Sequence, residues 1–243
     1  MESLYKHTIE RHNRKAASRV LPVLSDFHKP RSVIDIGCGT GTWLSVAQEV
    51  FGTQDILGLD GGYVNLDDLM IRRDSFVATD LRRGFDAGRR YDLAICLEVA
   101  EHLPEKSGDL LVDSLVNASD FILFSAALPG QGGHLHINEQ PFEYWIGKFE
   151  QRGYGFYDLI RPLVWQDAEV DWWYRQNVFC VVKDEAFEFV KTPIYTAFHP
   201  EYVDAGKKRE AQIMEGVMNG DLGISKSFRI FRRSFERWIS NHI

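Results

Sequence analysis

Short apolar runs alternate along the chain with stretches of helical spacing. Leu4, Ile9, Val20, Leu21, Leu24 and Phe27 mark a helical segment over 4–27, where Pro22 is expected to interrupt the helix or start a second one. After the breaker HKPR, strands are predicted at SVIDI (32–36), ILGLD (56–60), SFVATD (75–80), YDLAICLE (91–98) and FILFSAAL (121–128). Helices are predicted over 42–51, about 104–118 and about 139–152. Two late strands, YGFYDLIR (154–161) and NVFCVVKD (177–184), surround a Trp-rich stretch. Nearly continuous apolar strands separated by helices indicate an α/β fold, with a parallel sheet covered on both faces. Such sheets bind ligands beyond the carboxyl ends of their strands, so the residues just after each strand carry the expected chemistry.

Composition narrows the class. The 243 residues, 44% of them hydrophobic and 26% charged, fit a globular chain with a core of its own and exclude a fibrous or disordered one. The net charge of −7 disfavours a nucleic-acid partner. That charge is unevenly spread. Residues 1–31 hold seven basic and three acidic residues and residues 225–243 five and one, which leaves −15 on the body between them. Cys38, Cys96 and Cys180 lie in or beside apolar runs and read as buried thiols of a reducing compartment. The opening MESLYKHTIERHNRK lacks the apolar core of a signal peptide, and no apolar run is long enough to span a membrane. A cytoplasmic location without membrane attachment is therefore expected.

Asp35-Ile36-Gly37-Cys38-Gly39-Thr40-Gly41 ends the first strand and opens a helix, and glycines there let the backbone turn and approach a ligand closely. Asp60 ends the second strand, where a carboxylate can accept from both hydroxyls of a ribose. Dinucleotide sites prefer G-x-G-x-x-G. Here the third glycine comes one residue early, and no Tyr-x-x-x-Lys stands where an NAD-dependent oxidoreductase would place it. VIDIGCGTG, ILGLD, VATDL and YDLAICLEVAEHL together resemble the class I S-adenosylmethionine-dependent methyltransferases, in order and spacing, over residues 32–184.

The resemblance implies a Rossmann-like seven-stranded sheet flanked by helices, its last strand antiparallel, with helical additions at both ends. Residues 1–31 would be a helical lid, 32–184 the core and 185–243 a helical extension of one domain. It implies S-adenosyl-L-methionine as cofactor. Gly37, Cys38, Gly39 and Gly41 would pass close to its methionine and ribose portion, and Asp35 would support the loop and meet the amino group. Asp60, followed by Gly61, would hold the ribose hydroxyls. Asp80 and the Leu81 backbone would read the adenine amino group, and the Leu97–Glu98 backbone would face the methionine end. Each acidic residue also has a plainer reading as a turn or helix cap.

Methyl transfer to a hydroxyl requires alignment and removal of a proton, a task suited to histidine. His102 follows the fourth strand in EVAEH. His134 and His136 lie in PGQGGHLHINEQ after the fifth, where alternation would point them the same way. These three are the catalytic candidates; the plainer reading of the loop pair is helix capping. His134, His136 and Glu139 have the donor types for a soft cation, but no metal is expected. Trp165 to Tyr174 either stack on an acceptor or pack on the core. Residues 185–224 are expected to form short helices on the sheet. Phe228, Phe231, Phe235 and Trp238 share one helical face amid arginines, as for packing on the acidic body or in a homodimer. The expected function is S-adenosylmethionine-dependent O-methylation of a small molecule, a sugar or natural product. The alternatives are N-methylation of a small amine and a non-catalytic binding subunit.

Overall fold

The computed structural model describes residues 14–184, 186, 187, 197–219, 223 and 232. The chain forms two compact units, residues 1–202 and 203–243. The first contains a seven-stranded sheet with strand order β3-β2-β1-β4-β5-β7-β6. Its strands are β1 Ser32–Ile36, β2 Asp55–Asp60, β3 Phe76–Ala78, β4 Leu93–Leu97, β5 Phe121–Ser125, β6 Tyr154–Tyr157 and β7 Phe179–Lys183. The pairs β1–β2, β2–β3, β1–β4 and β4–β5 are parallel. β7 is antiparallel to both β5 and β6, as the family resemblance implied. The order reverses between β1 and β4, so the ends of those strands face a crevice that a ligand can enter.

Alternation along the central strands builds two apolar layers. Ile34, Ile36, Ala94, Cys96, Ile122 and Phe124 face one way, under α3 (Gly108–Ala118) and α4 (Phe142–Glu150). Val33, Leu93, Ile95, Leu97, Phe121 and Leu123 face the other, against α1 (Lys15–Ser25) and α2 (Thr42–Phe51). In the first layer, the rings of Phe124, Trp145, Phe149 and Phe156 meet in edge-on and tilted contacts at centroid separations of 5.3–6.2 Å. Much of the chain's aromatic content is thus core. All three cysteines are buried and form no disulfide.

Several elements are shorter or longer than their patterns predict. α1 runs through Pro22 rather than breaking there. Both Pro22 and Ser18, whose carbonyl loses its helical donor, are exposed, so water can satisfy that oxygen. The helix predicted from 139 starts only after Pro141, and the fifth strand stops at Ser125. The Trp-rich stretch forms α5 (Arg161–Val164) and α6 (Trp172–Asn177). Short helices were expected over 185–224, but Pro200–Met218 is one continuous 19-residue helix, α7. No helix among the described residues is long and apolar enough to cross a membrane. The amphipathic face proposed at 228–238 lies outside the described residues.

Candidate active site

The turn after β1 is built for close approach. Gly37, Gly39 and Gly41 have φ of 79°, 54° and 82°, the left-handed region that glycine alone enters without strain. Space forbids a side chain as well, because a Cβ on Gly37 would sit 2.3 Å from a methyl of Val99. The amides of Gly37 and Cys38 donate to the Leu59 carbonyl at 2.7 and 3.1 Å, tying the turn to β2. Cys38 is buried, with its sulfur near Gly58; burial and the charges of Asp35 and Asp60 push its thiol up, so it is no nucleophile.

Asp60 closes β2 beneath this turn. One carboxylate oxygen accepts from the Gly39 amide at 2.7 Å; the other accepts from the Gly61 amide at 2.6 Å and the Tyr63 hydroxyl at 2.7 Å. A buried carboxylate so placed organises the loop and also faces the crevice. Asp35, on β1, is 3% exposed, and its Oδ2 accepts no hydrogen bond. Burial, then the charge of Asp60, holds its carboxyl well above the usual range. An orphaned buried oxygen beside an open cavity fits a ligand amino group, which would donate to it. Without ligand the residue costs stability. Its raised value means that stability falls as pH rises from the ordinary carboxylate range through the folded-state value. We expect Asp35→Asn to raise the melting temperature of the ligand-free protein at pH 8, a gain of roughly 1–3 kcal/mol that shrinks toward pH 4. The same change should weaken S-adenosylhomocysteine binding, read by calorimetry.

These groups border a cavity of about 1080 Å³. Asp35, Gly37, Cys38, Asp60, Gly61, Asp80, Leu81, Leu97, Glu98, His102, His134 and His136 all line it, so twelve sequence-predicted positions, separated widely along the chain, meet at one place. Gly39 and Gly41 are not among its lining residues; the Gly39 amide donates to Asp60, and Gly41 sits against Ile71. Asp80 is not a bare acidic lip. It caps a short 3-10 turn by accepting from the Arg82 amide, and it pairs with the Arg82 guanidinium at 2.7 and 2.9 Å, which holds its carboxyl below the usual range. The capping reading therefore describes its side chain, although it still lines the cavity.

The turn after β4 carries the second half of the site. Glu98 has φ 54°, an unusual value for a side-chain-bearing residue. Its amide donates to the Ser125 side chain at 3.0 Å, and its carboxylate accepts from Gln131 at 2.8 Å and Asn177 at 3.2 Å. Asn177 also donates to Gln131 at 2.9 Å. Gln131 and Asn177 were not foreseen, because an amide before β7 carries no local pattern linking it to β4. Glu101 is fully buried, and its backbone carbonyl accepts from Ile137 and Asn138 at 2.9 and 3.0 Å, which ties this turn to the histidine loop. Burial raises the carboxyls of both Glu98 and Glu101, and the charge of Glu98 raises Glu101 further.

The two loop histidines do not share an environment. Leu135 between them has φ 62°, which breaks the expected alternation. His134 is exposed. His136 packs edge-on against His102 at 4.9 Å, and its Nδ1 lies 3.0 Å from Glu139. Glu139 also accepts from the amides of Gly130 and Gly132 at 2.8 and 2.7 Å, so one carboxylate shapes the whole loop. Burial and the neighbouring His136 pull His102 down to about 4. Trp43, Trp172, Trp173 and Tyr174 line the cavity and are half-buried, and Trp43 and Tyr174 also pack against the apolar core.

The comparisons agree with this geometry. The methyltransferase-domain family profile matches residues 5–158. No curated protein matches the chain. Among solved structures, the methyltransferase domain of bacterial CtHen1 is similar at TM-score 0.52 and 20% identity, over 71% of this chain and 98% of that one. The plantazolicin methyltransferase BpumL, solved with a pentazolic desmethylPZN analog and SAH, is similar at TM-score 0.51 and 16% identity, over 73% of this chain and 86% of that one. The small RNA methyltransferase HEN1 is similar at TM-score 0.52 and 16% identity, over 79% of this chain but 27% of that one. At these identities the likenesses speak to fold. The family match, the strand order and the glycine turn with its acidic strand ends converge: the chain belongs to the methyltransferase-domain family and is a class I S-adenosylmethionine-dependent methyltransferase.

Proposed function

We propose that the protein methylates a hydroxyl of a small-molecule acceptor, of the sugar or natural-product kind. The observation that carries this reading is the set of histidines His102, His134 and His136, which line the same cavity as the Leu97–Glu98 turn and the aromatic residues Trp43, Trp172, Trp173 and Tyr174. The cavity volume of about 1080 Å³ is at the upper end of small-ligand sites, which accommodates a nucleoside cofactor together with a compact acceptor. Flat Trp172 and Trp173 faces suit a ring, and the acidic body disfavours a polyanion.

When bound, S-adenosylmethionine supplies a methyl group on a cationic sulfur. Asp35 and Asp60 would hold it through its amino group and ribose, with the Leu97–Glu98 turn at its methionine end. For a hydroxyl acceptor, the task left to the chain's own residues would be to take up the hydroxyl proton. Of the three histidines proposed as base, His134 is the one open to the cavity and to solvent, and we assign it the proton. His134→Ala should lower kcat by about 10²–10³-fold with S-adenosylhomocysteine affinity unchanged. The test of the reading is transfer of labelled methyl to panels of polyols and phenols, amines, and small RNAs, with the methylated atom identified by fragmentation mass spectrometry. An O-methyl ether product supports it; label only on amine nitrogen or RNA overturns it.

A further inference from the structure

Glu101, His102 and His136 do more in this corner than line it. Each offers a metal-ligating atom, and these atoms all lie within 4.8 Å of one another. A first-row cation bonds such atoms at about 2.1 Å and holds them roughly 3–4 Å apart, so side-chain adjustment of about 1 Å closes the set. We propose that Glu101, His102 and His136 bind one divalent transition cation, of the Mn²⁺, Fe²⁺, Co²⁺ or Zn²⁺ class, at the acceptor end of the cavity.

Independent observations point to a ligand here. Glu101 is 0% exposed, and neither of its carboxylate oxygens accepts a hydrogen bond. A buried carboxyl without donors is costly unless something positive meets it. The Glu98 carboxyl faces the same corner, and among the described residues neither glutamate has an ion pair with a lysine or arginine. Two acids in one buried corner must share a proton unless a cation takes its place between them. The backbone also brings the third ligand into place, through the bonds from Ile137 and Asn138 to the Glu101 carbonyl. His136 is oriented by Glu139 at its Nδ1, the carboxylate–histidine arrangement that fixes a metal-binding ring. A Cβ on Gly133 would run into three ring atoms of His136, so only glycine admits the ring at this spot. Two imidazoles with a carboxylate favour a transition cation over Mg²⁺ or Ca²⁺, which prefer all-oxygen sites.

The sequence placed donor potential in His134, His136 and Glu139 and expected no metal. The structure gives Glu139 the outer position and puts Glu101 and His102 in its stead. A cation here would grip the acceptor oxygen and make its proton easier to lose. That role rests on the hydroxyl reading above; the binding site does not.

The test uses the full chain stripped of metal by chelation and desalting. Titration with CoCl₂ should develop visible d–d absorption that saturates at one equivalent, and MnCl₂ should bind with the same stoichiometry by calorimetry. His102→Ala, His136→Ala and Glu101→Gln should each abolish the saturable band. Glu139→Gln should weaken binding by about 10–100-fold, and His134→Ala should leave it intact. S-adenosylhomocysteine affinity and far-ultraviolet dichroism, measured on every variant, separate lost metal from lost fold. Absence of the band at millimolar Co²⁺ overturns the site, as does a band undiminished in folded His102→Ala and His136→Ala proteins. Stoichiometric Co²⁺ binding supports the site even if hydroxyl acceptors gain no methyl, which sinks the acceptor reading alone. Hydroxyl methylation unaffected by chelation, with no Co²⁺ band, sinks the site and spares the acceptor reading.

Discussion

Asp60→Ala should weaken S-adenosylhomocysteine binding by about 100-fold or more. The carboxylate is buried at the end of β2 and faces the cavity. Two ribose hydroxyls donating to one charged group are each worth about 1.5–3 kcal/mol, so their joint loss exceeds the roughly 2.7 kcal/mol that corresponds to 100-fold. The same carboxylate holds the Gly39 and Gly61 amides, so the alanine variant also loosens the turn. Tyr63→Phe tests the third partner of this carboxylate. It leaves the carboxylate and both amides in place and removes only the hydroxyl that shares Oδ1. Calorimetry should find Tyr63→Phe within about fivefold of wild type or tighter, because a competing donor has gone. Equal losses in both variants would mean that the Tyr63 hydroxyl, and not a ribose contact at Asp60, carries the binding.

Gly37→Ala should be strongly destabilising. At φ 79° an alanine is strained by about 1–2 kcal/mol, and its Cβ would meet a Val99 methyl at 2.3 Å, an overlap costing roughly 1–3 kcal/mol more. The sum of about 2–5 kcal/mol corresponds to a fall in melting temperature of roughly 5–15 °C for a chain of this size. Cofactor binding should be lost as well if the ligand enters the cavity that Gly37 and Cys38 line. Adding Val99→Ala relieves the overlap but not the dihedral strain. The double variant should regain about half of the melting temperature, which scanning calorimetry can check. No recovery at all would mean that Val99 is not what the added methyl meets.

Much of this was legible before the fold. Five parallel strands and their helices follow from apolar runs, because a strand covered on both faces has few polar positions to hide it. The cofactor side is legible too, since a glycine turn and an acidic strand end are local in sequence. The acceptor side is not. Asn177 reaches Glu98 across 79 positions, and only the antiparallel return of β7 beside β5 brings it there. Glu139 and His136 gain their roles from the hydrogen bonds of an irregular loop rather than from a repeating pattern. Asp80 shows the opposite case, where a local cap and ion pair describe the side chain that the family pattern assigned to the ligand.

The central claim is that one cavity, floored by the glycine turn and ending at the histidine corner, takes the cofactor and presents it to an acceptor. A crystal structure grown with S-adenosylhomocysteine tests it most directly. The account predicts the amino group within hydrogen-bond distance of Asp35, the ribose hydroxyls on Asp60, and the sulfur directed past Leu97–Glu98 toward His102. A ligand bound elsewhere, or bound here with Asp35 still unpartnered and Asp60 untouched, would contradict it.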